Sequence, residues 1–215
     1  MVLPEGHEAL MRQAFESSAL PTEVDPAWLI LGNVRTDFPT VQADHRQSIW
    51  HLLKLVSDGF SCKRGNHPIH AMRCRGQVVA DAYSQMRQRV LDMMYKGCDA
   101  KLDWETRALS FGSALHTLQD SYCTAHAARI DNSDPHSPII NMHTYPSQQH
   151  PLSTQKDVVW QDPQQTAFKP DAAAAITATI AALKIFNAQK TDQIEPFLAH
   201  YLAFREDIAH VYTPR

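Results

Sequence analysis

Gly112-Ser113-Ala114-Leu115-His116-Thr117-Leu118-Gln119-Asp120-Ser121-Tyr122-Cys123-Thr124-Ala125-His126 is the stretch that decides how the chain is read. His116 and Asp120 are four apart, so on a helix they project from one face about one turn apart. His126 follows six residues later, beyond Ser121 and Thr124, where the helix can end and the chain can bend back. Two imidazoles and a carboxylate converging in this way are ligands suited to zinc and its neighbours. Leu115 and Leu118 flank the polar stripe, and Gly112 sits one turn before His116, which points to a face packed closely against something. The competing reading is one polar stripe of a solvated helix.

Working outward, Asp103 caps the helix that carries this stretch to about Tyr122. Residues 5 to 18 read as a first helix, with Leu10, Ala14 and Phe15 as its apolar stripe and His7 in its opening turn. Asp25-Pro26 starts a short buried helix. Asp37 follows it, at the helix end or in the loop just after. A helix over about 41 to 57 carries His45 and His51. From His67-Pro68 a long helix runs to about Lys96, with Gly97 as its stop. Residues 127 to 169 change character: Pro135, Pro138, Pro146, Pro151 and Pro163 forbid long regular elements. His136, His143 and His150 lie there, and so long an irregular segment in a compact domain points to function. Two helices finish the chain, 171 to 188 begun at Pro170-Asp171 and about 192 to 210. The expectation is all-α: a single compact multi-helix domain over 1-215, with a long irregular loop near residues 127-169.

Composition agrees with this and limits function. The 215 residues are 44% hydrophobic and 20% charged, with only seven glycines, which suits a helical globular protein. A net charge of -3 gives no strong nucleic-acid signal. Cys62, Cys74, Cys98 and Cys123 form no CxxC pair, so free thiols are expected rather than a disulfide framework. The start lacks the basic segment and apolar core of a signal peptide. No run approaches the length that spans a bilayer. The expected location is cytoplasmic, with secretion by a non-standard route as the alternative. Twelve histidines are many for this length.

The pattern His116-x3-Asp120-x5-His126 resembles the core motif of the zinc-dependent phospholipase C and fungal single-strand nuclease superfamily. The resemblance extends over roughly residues 5 to 130. Glu5-Gly6-His7-Glu8-Ala9-Leu10 looks like that family's histidine at the start of a first helix. Gly32-Asn33-Val34-Arg35-Thr36-Asp37 looks like its aspartate-bearing turn, and His51 lies fourteen residues beyond that aspartate, as the family's pattern requires. Asn141-Met142-His143-Thr144-Tyr145 looks like the segment with its last histidine. The carboxylate expected one turn later is absent, since Ser147 stands there; Asp157 or His150 are the candidates to replace it.

The resemblance implies an all-α zinc enzyme that hydrolyses phosphodiester bonds with metal-activated hydroxide at two or three zinc ions. It implies Asp120 as a bridging ligand, Asp37, His51 and His116 with it at one metal, His7 at the second, and His126 with His143 at the third. Asp37 is also the candidate general base. In the family the free α-amino group is a further ligand, a role open to Val2 if Met1 is removed. Other readings remain beside these. Asp37 can simply cap a helix, His51 can be a core histidine, and Asp44-His45 is a rival ligand pair. His67 and His70, flanking Pro68-Ile69, read as structural; His136 and His150 read as exposed loop residues. The expected enzyme is a phospholipase C-like phosphoric diester hydrolase, with a phospholipid among its candidate substrates. A single-strand-specific nuclease of the same superfamily is one alternative. A non-hydrolytic all-α metal-binding protein, or an iron oxygenase, is another, although the paired Glu-x-x-His motifs of di-iron bundles are missing.

Overall fold

The computed structural model describes residues 4–18, 25–36, 67–74, 76–144, 159–162, 164–205 and 207. These residues are mostly helical. They contain helices α1 (Pro4–Ser18), α2 (Pro26–Arg35), α3 (Val79–Cys98), α4 (Trp104–Asp120), α5 (Pro170–Ala188) and α6 (Ile194–Tyr201). Two 3-10 turns, His67–His70 and Thr191–Gln193, and an antiparallel pair, β1 (Ala127–Arg129) and β2 (Ile139–Met142), complete them. The helix starts follow their acids. Asp25 accepts a hydrogen bond from the Ala27 N–H at 2.9 Å, ahead of Pro26. Asp103 accepts from the Thr106 N–H at 2.8 Å. Each carboxylate takes up a first-turn donor that has no intrahelical partner.

Helix α4 is the centre of the molecule, packed against α2, α3 and α5. Every residue from Ala114 to Asp120 is buried, so its polar stripe faces protein and not solvent. The closest packing is at Gly112. A Cβ there would lie 2.2 Å from the Leu29 carbonyl oxygen and 2.8 Å from the Asn33 nitrogen, and a Cβ on Gly32 would lie 2.4 Å from the Leu109 carbonyl oxygen. Helices α2 and α4 therefore cross backbone to backbone, as the glycine one turn before His116 implied. Phe111, Leu115, Leu118 and Phe186 join Leu29, Met86 and Met94 in one continuous apolar cluster.

Four expectations need correction. The long helix does not begin at His67. After the 3-10 turn, Ala71 and Gly76 take positive φ of 50° and 81°, and α3 starts only at Val79. The reason is tertiary: Arg73 N–H donates to the His143 carbonyl at 3.0 Å, so this segment is held against the hairpin instead of coiling. Gly97 is not a stop, because α3 runs through Cys98. Its missing side chain makes room for Phe111, whose Cβ would be 2.7 Å from a Cβ at that position. The loop near 127–169 contains the β1–β2 pair, which short, proline-flanked segments do not announce. The helix expected over about 192 to 210 is broken after Tyr201, since the chain then turns extended to pair with Ile139, whose N–H donates to the Ala203 carbonyl at 2.8 Å. The helix expected over 41 to 57 lies outside the described residues.

Two further expectations fare differently from what composition suggested. Cys74 is disulfide-bonded, whereas Cys98 and Cys123 are buried thiols. Burial pushes the Cys98 thiol up to about 11. Helix α5 is, on length and composition alone, long and apolar enough to cross a membrane, which the sequence reading did not anticipate. It is nonetheless a core helix here, with ten of its nineteen residues buried against the other elements, so its apolar character has a structural cause.

Candidate metal centre

Asp120, the last residue of α4, is fully buried, and four imidazoles from four parts of the chain surround it. His116 comes from one turn earlier on α4, its Nε2 3.2 Å from Asp120 Oδ2. His70 ends the 3-10 turn with Nδ1 at 3.1 Å from the same oxygen. His126 Nδ1 lies 3.3 Å from it. His7, from the opening of α1, presents Nε2 to the other oxygen, Oδ1, at 3.4 Å.

The return of His126 has a local cause. Past Asp120 the chain tightens: Tyr122 N–H bonds to Gln119, Cys123 N–H to Asp120 and His126 N–H to Cys123. Buried Arg129 clamps the turn, donating to the Ser121 carbonyl and hydroxyl and to the Tyr201 carbonyl, with its guanidinium 3.8 Å from the centre of the Tyr122 ring. The hairpin then brings the His143 N–H to 2.7 Å from the His126 carbonyl. His70 is seated by the Thr117 hydroxyl, which donates to the Ile69 carbonyl at 2.7 Å.

Burial alone would raise the Asp120 carboxyl, but the His126 and His116 imidazoles outweigh it and hold the group well below its usual range. It is a carboxylate in a dry interior, which requires compensating positive charge. The hydrogen-bond bookkeeping favours a cation between these groups. His70 Nδ1 and His116 Nε2 are 3.2 Å apart, a distance at which two ring N–H groups cannot both point inward. At least one of them turns a lone pair toward the others. Asp120 Oδ1 accepts no hydrogen bond from the described residues. One ligand atom each from His7, His116 and Asp120 lies within 4.8 Å of the other two. A donor set of imidazoles with one carboxylate suits zinc among common metals.

Of the residues singled out in the sequence, His7, His116, Asp120 and His126 are brought together. His143 lies beside His126 through the backbone and is half-buried. Asp37 and His51, with Asp157, His150 and the amino terminus, lie outside the described residues. His70, read as structural, belongs to the cluster. Its loop setting carries no periodicity, and of the sequence signals only the excess of histidines pointed toward it. Asn33, Gln119 and Thr179 form a buried polar group next to the cluster: Gln119 Oε1 accepts from His7 Nδ1 at 2.8 Å and from Asn33 Nδ2 at 3.1 Å, and Gln119 Nε2 donates to the Thr179 hydroxyl at 3.2 Å. A glutamine beside Asp120 gives no such sign in the sequence. No family model, curated protein or solved structure matches this chain.

Proposed function

We propose that the chain is a zinc-dependent phosphodiester hydrolase of the phospholipase C type, with the cluster around Asp120 as its metal centre. The observation that carries this reading is a fully buried carboxylate ringed by His7, His70, His116 and His126. Asp120 would bind through both oxygens, one toward His7 and the other toward His70 and His116. His126 already donates Nδ1–H to the His70 carbonyl at 2.8 Å, which leaves Nε2 as its electron-pair donor. His143, whose N–H bonds to the His126 carbonyl, is the residue that the resemblance implies to share a metal with it. Asp37 and His51 remain candidates for the roles the resemblance implies, Asp37 as general base.

Bound zinc supplies Lewis acidity toward phosphoryl oxygens and lowers the pKa of water to give a nucleophile near neutral pH. The chain's own residues supply the rest: a fixed carboxylate charge, His7 and His126 oriented through their Nδ1 atoms by Gln119 and the His70 carbonyl, and burial that excludes bulk water. Purified protein is tested on phosphatidylcholine and on single-stranded DNA, with and without chelator. Chelator-sensitive release of the phosphorylated head group, without DNA cleavage, supports this reading. DNA cleavage alone would make the chain a nuclease instead, and inertness toward both would overturn the hydrolase.

A further inference from the structure

The group of polar side chains behind His7 has a direction. The Thr179 hydroxyl, fully buried in the middle of α5, donates its single proton to the Ala175 carbonyl at 2.8 Å. It therefore meets Gln119 Nε2, 3.2 Å away, as an acceptor. That fixes which way round the Gln119 amide lies: nitrogen to Thr179, oxygen to α1 and α2. Two donors then converge on the Gln119 oxygen, His7 Nδ1 at 2.8 Å and Asn33 Nδ2 at 3.1 Å. His7, when neutral, carries its proton on Nδ1 and its lone pair on Nε2, the atom that faces Asp120 Oδ1 at 3.4 Å.

We infer that Thr179 is a positioning residue for the metal centre: through Gln119 it selects the Nδ1–H tautomer of His7 and aims the Nε2 lone pair at the space beside Asp120. The inference rests on the metal reading of the cluster for its consequence, but the tautomer is a property of the chain alone. The relay joins three helices, since Thr179 stands on α5, Gln119 on α4 and His7 on α1, so the ligand is oriented by a group that touches neither metal nor substrate. Asn33 on α2 shares the acceptor and keeps the Gln119 oxygen from turning away.

Thr179→Val keeps the shape of the side chain and removes the hydroxyl, whereas Thr179→Ser keeps the hydroxyl and removes a methyl group. Imidazole nitrogen NMR on the metal-free full chain reads the His7 tautomer, and competition with a chromogenic chelator reads zinc affinity. The expected result is Nδ1–H in the wild-type chain and in Thr179→Ser. Thr179→Val should show a mixture of tautomers and zinc binding weaker by about tenfold, the lower end of what loss of an outer-sphere partner costs. An Nε2–H tautomer in the wild-type chain overturns the inference, as does a folded Thr179→Val with unchanged tautomer and affinity. Failure of the wild-type chain to bind zinc sinks the metal reading instead, while the NMR still decides the relay.

Discussion

Asp120 has to remain ionised in a dry interior while facing four imidazoles, and substitution there separates charge from shape. Asp120→Asn keeps the volume and removes the charge. Outer-sphere changes cost roughly 10–100-fold in metal affinity, and loss of a carboxylate that faces four imidazoles is expected to exceed that. The measurement is zinc affinity and turnover in parallel; full retention of both in the variant contradicts the assignment. His70 and His136 make a second pair. His70→Ala should lower zinc content, and His136→Ala should leave it unchanged, because His136 stands outside the cluster, its ring tilted against that of His200 with centres 3.9 Å apart. Elemental analysis of both variants distinguishes them. The contrast also shows what residue-level reading could reach. His116 and Asp120 are legible because helical spacing forces them onto one face. His70 is not, because its placement depends on a 3-10 turn and on Arg73 pairing with a hairpin some 70 residues later.

At the scale of elements, the α2–α4 crossing holds α2, with Asn33, against the helix that bears His116 and Asp120. Gly112→Ala puts a methyl group into the Leu29 carbonyl, so the helices must separate; overpacking of this kind costs about 3 kcal/mol. Gly76→Ala is a different case, with open space at the Cβ but a φ of +81°. It should cost about 1 kcal/mol through the backbone alone. Denaturant titration of the two variants tests that order. The Asp103 cap adds a pH dependence. The Thr106 N–H and hydroxyl hold its carboxyl below its usual range, so its contribution is present above the unfolded value of about 3.9 and is lost as pH falls through the lower folded value. Asp103→Ala should therefore melt at a lower temperature than the wild-type chain at pH 7, and the gap should close in acid. Capped helices such as α2 and α4 announce themselves in sequence by an acid before the first turn. The β1–β2 pair does not, since strands of three and four residues show too few alternations to read, and the periodicity that begins at Val79 gives no sign that Ala71 and Gly76 leave the helix.

At the scale of the whole molecule, the disulfide at Cys74 stands four residues from His70, on the segment that Arg73 fastens to the hairpin. Disulfides close loops at a typical gain of about 2–4 kcal/mol. Cys74→Ser is expected to lower the melting temperature and, through His70, zinc loading; a variant equal to the wild-type chain in both would separate the disulfide from the site. Disulfides also persist chiefly in oxidising compartments, so cell fractionation is the test that bears on the cytoplasmic expectation. The single measurement closest to the central claim is metal analysis of purified chain combined with a phosphodiesterase assay, before and after chelation and on Asp120→Asn. About two or three zinc ions per chain are expected, with activity that falls with chelation and with the substitution. Iron in place of zinc, no bound metal, or a zinc-free chain that still hydrolyses phosphodiesters would contradict it.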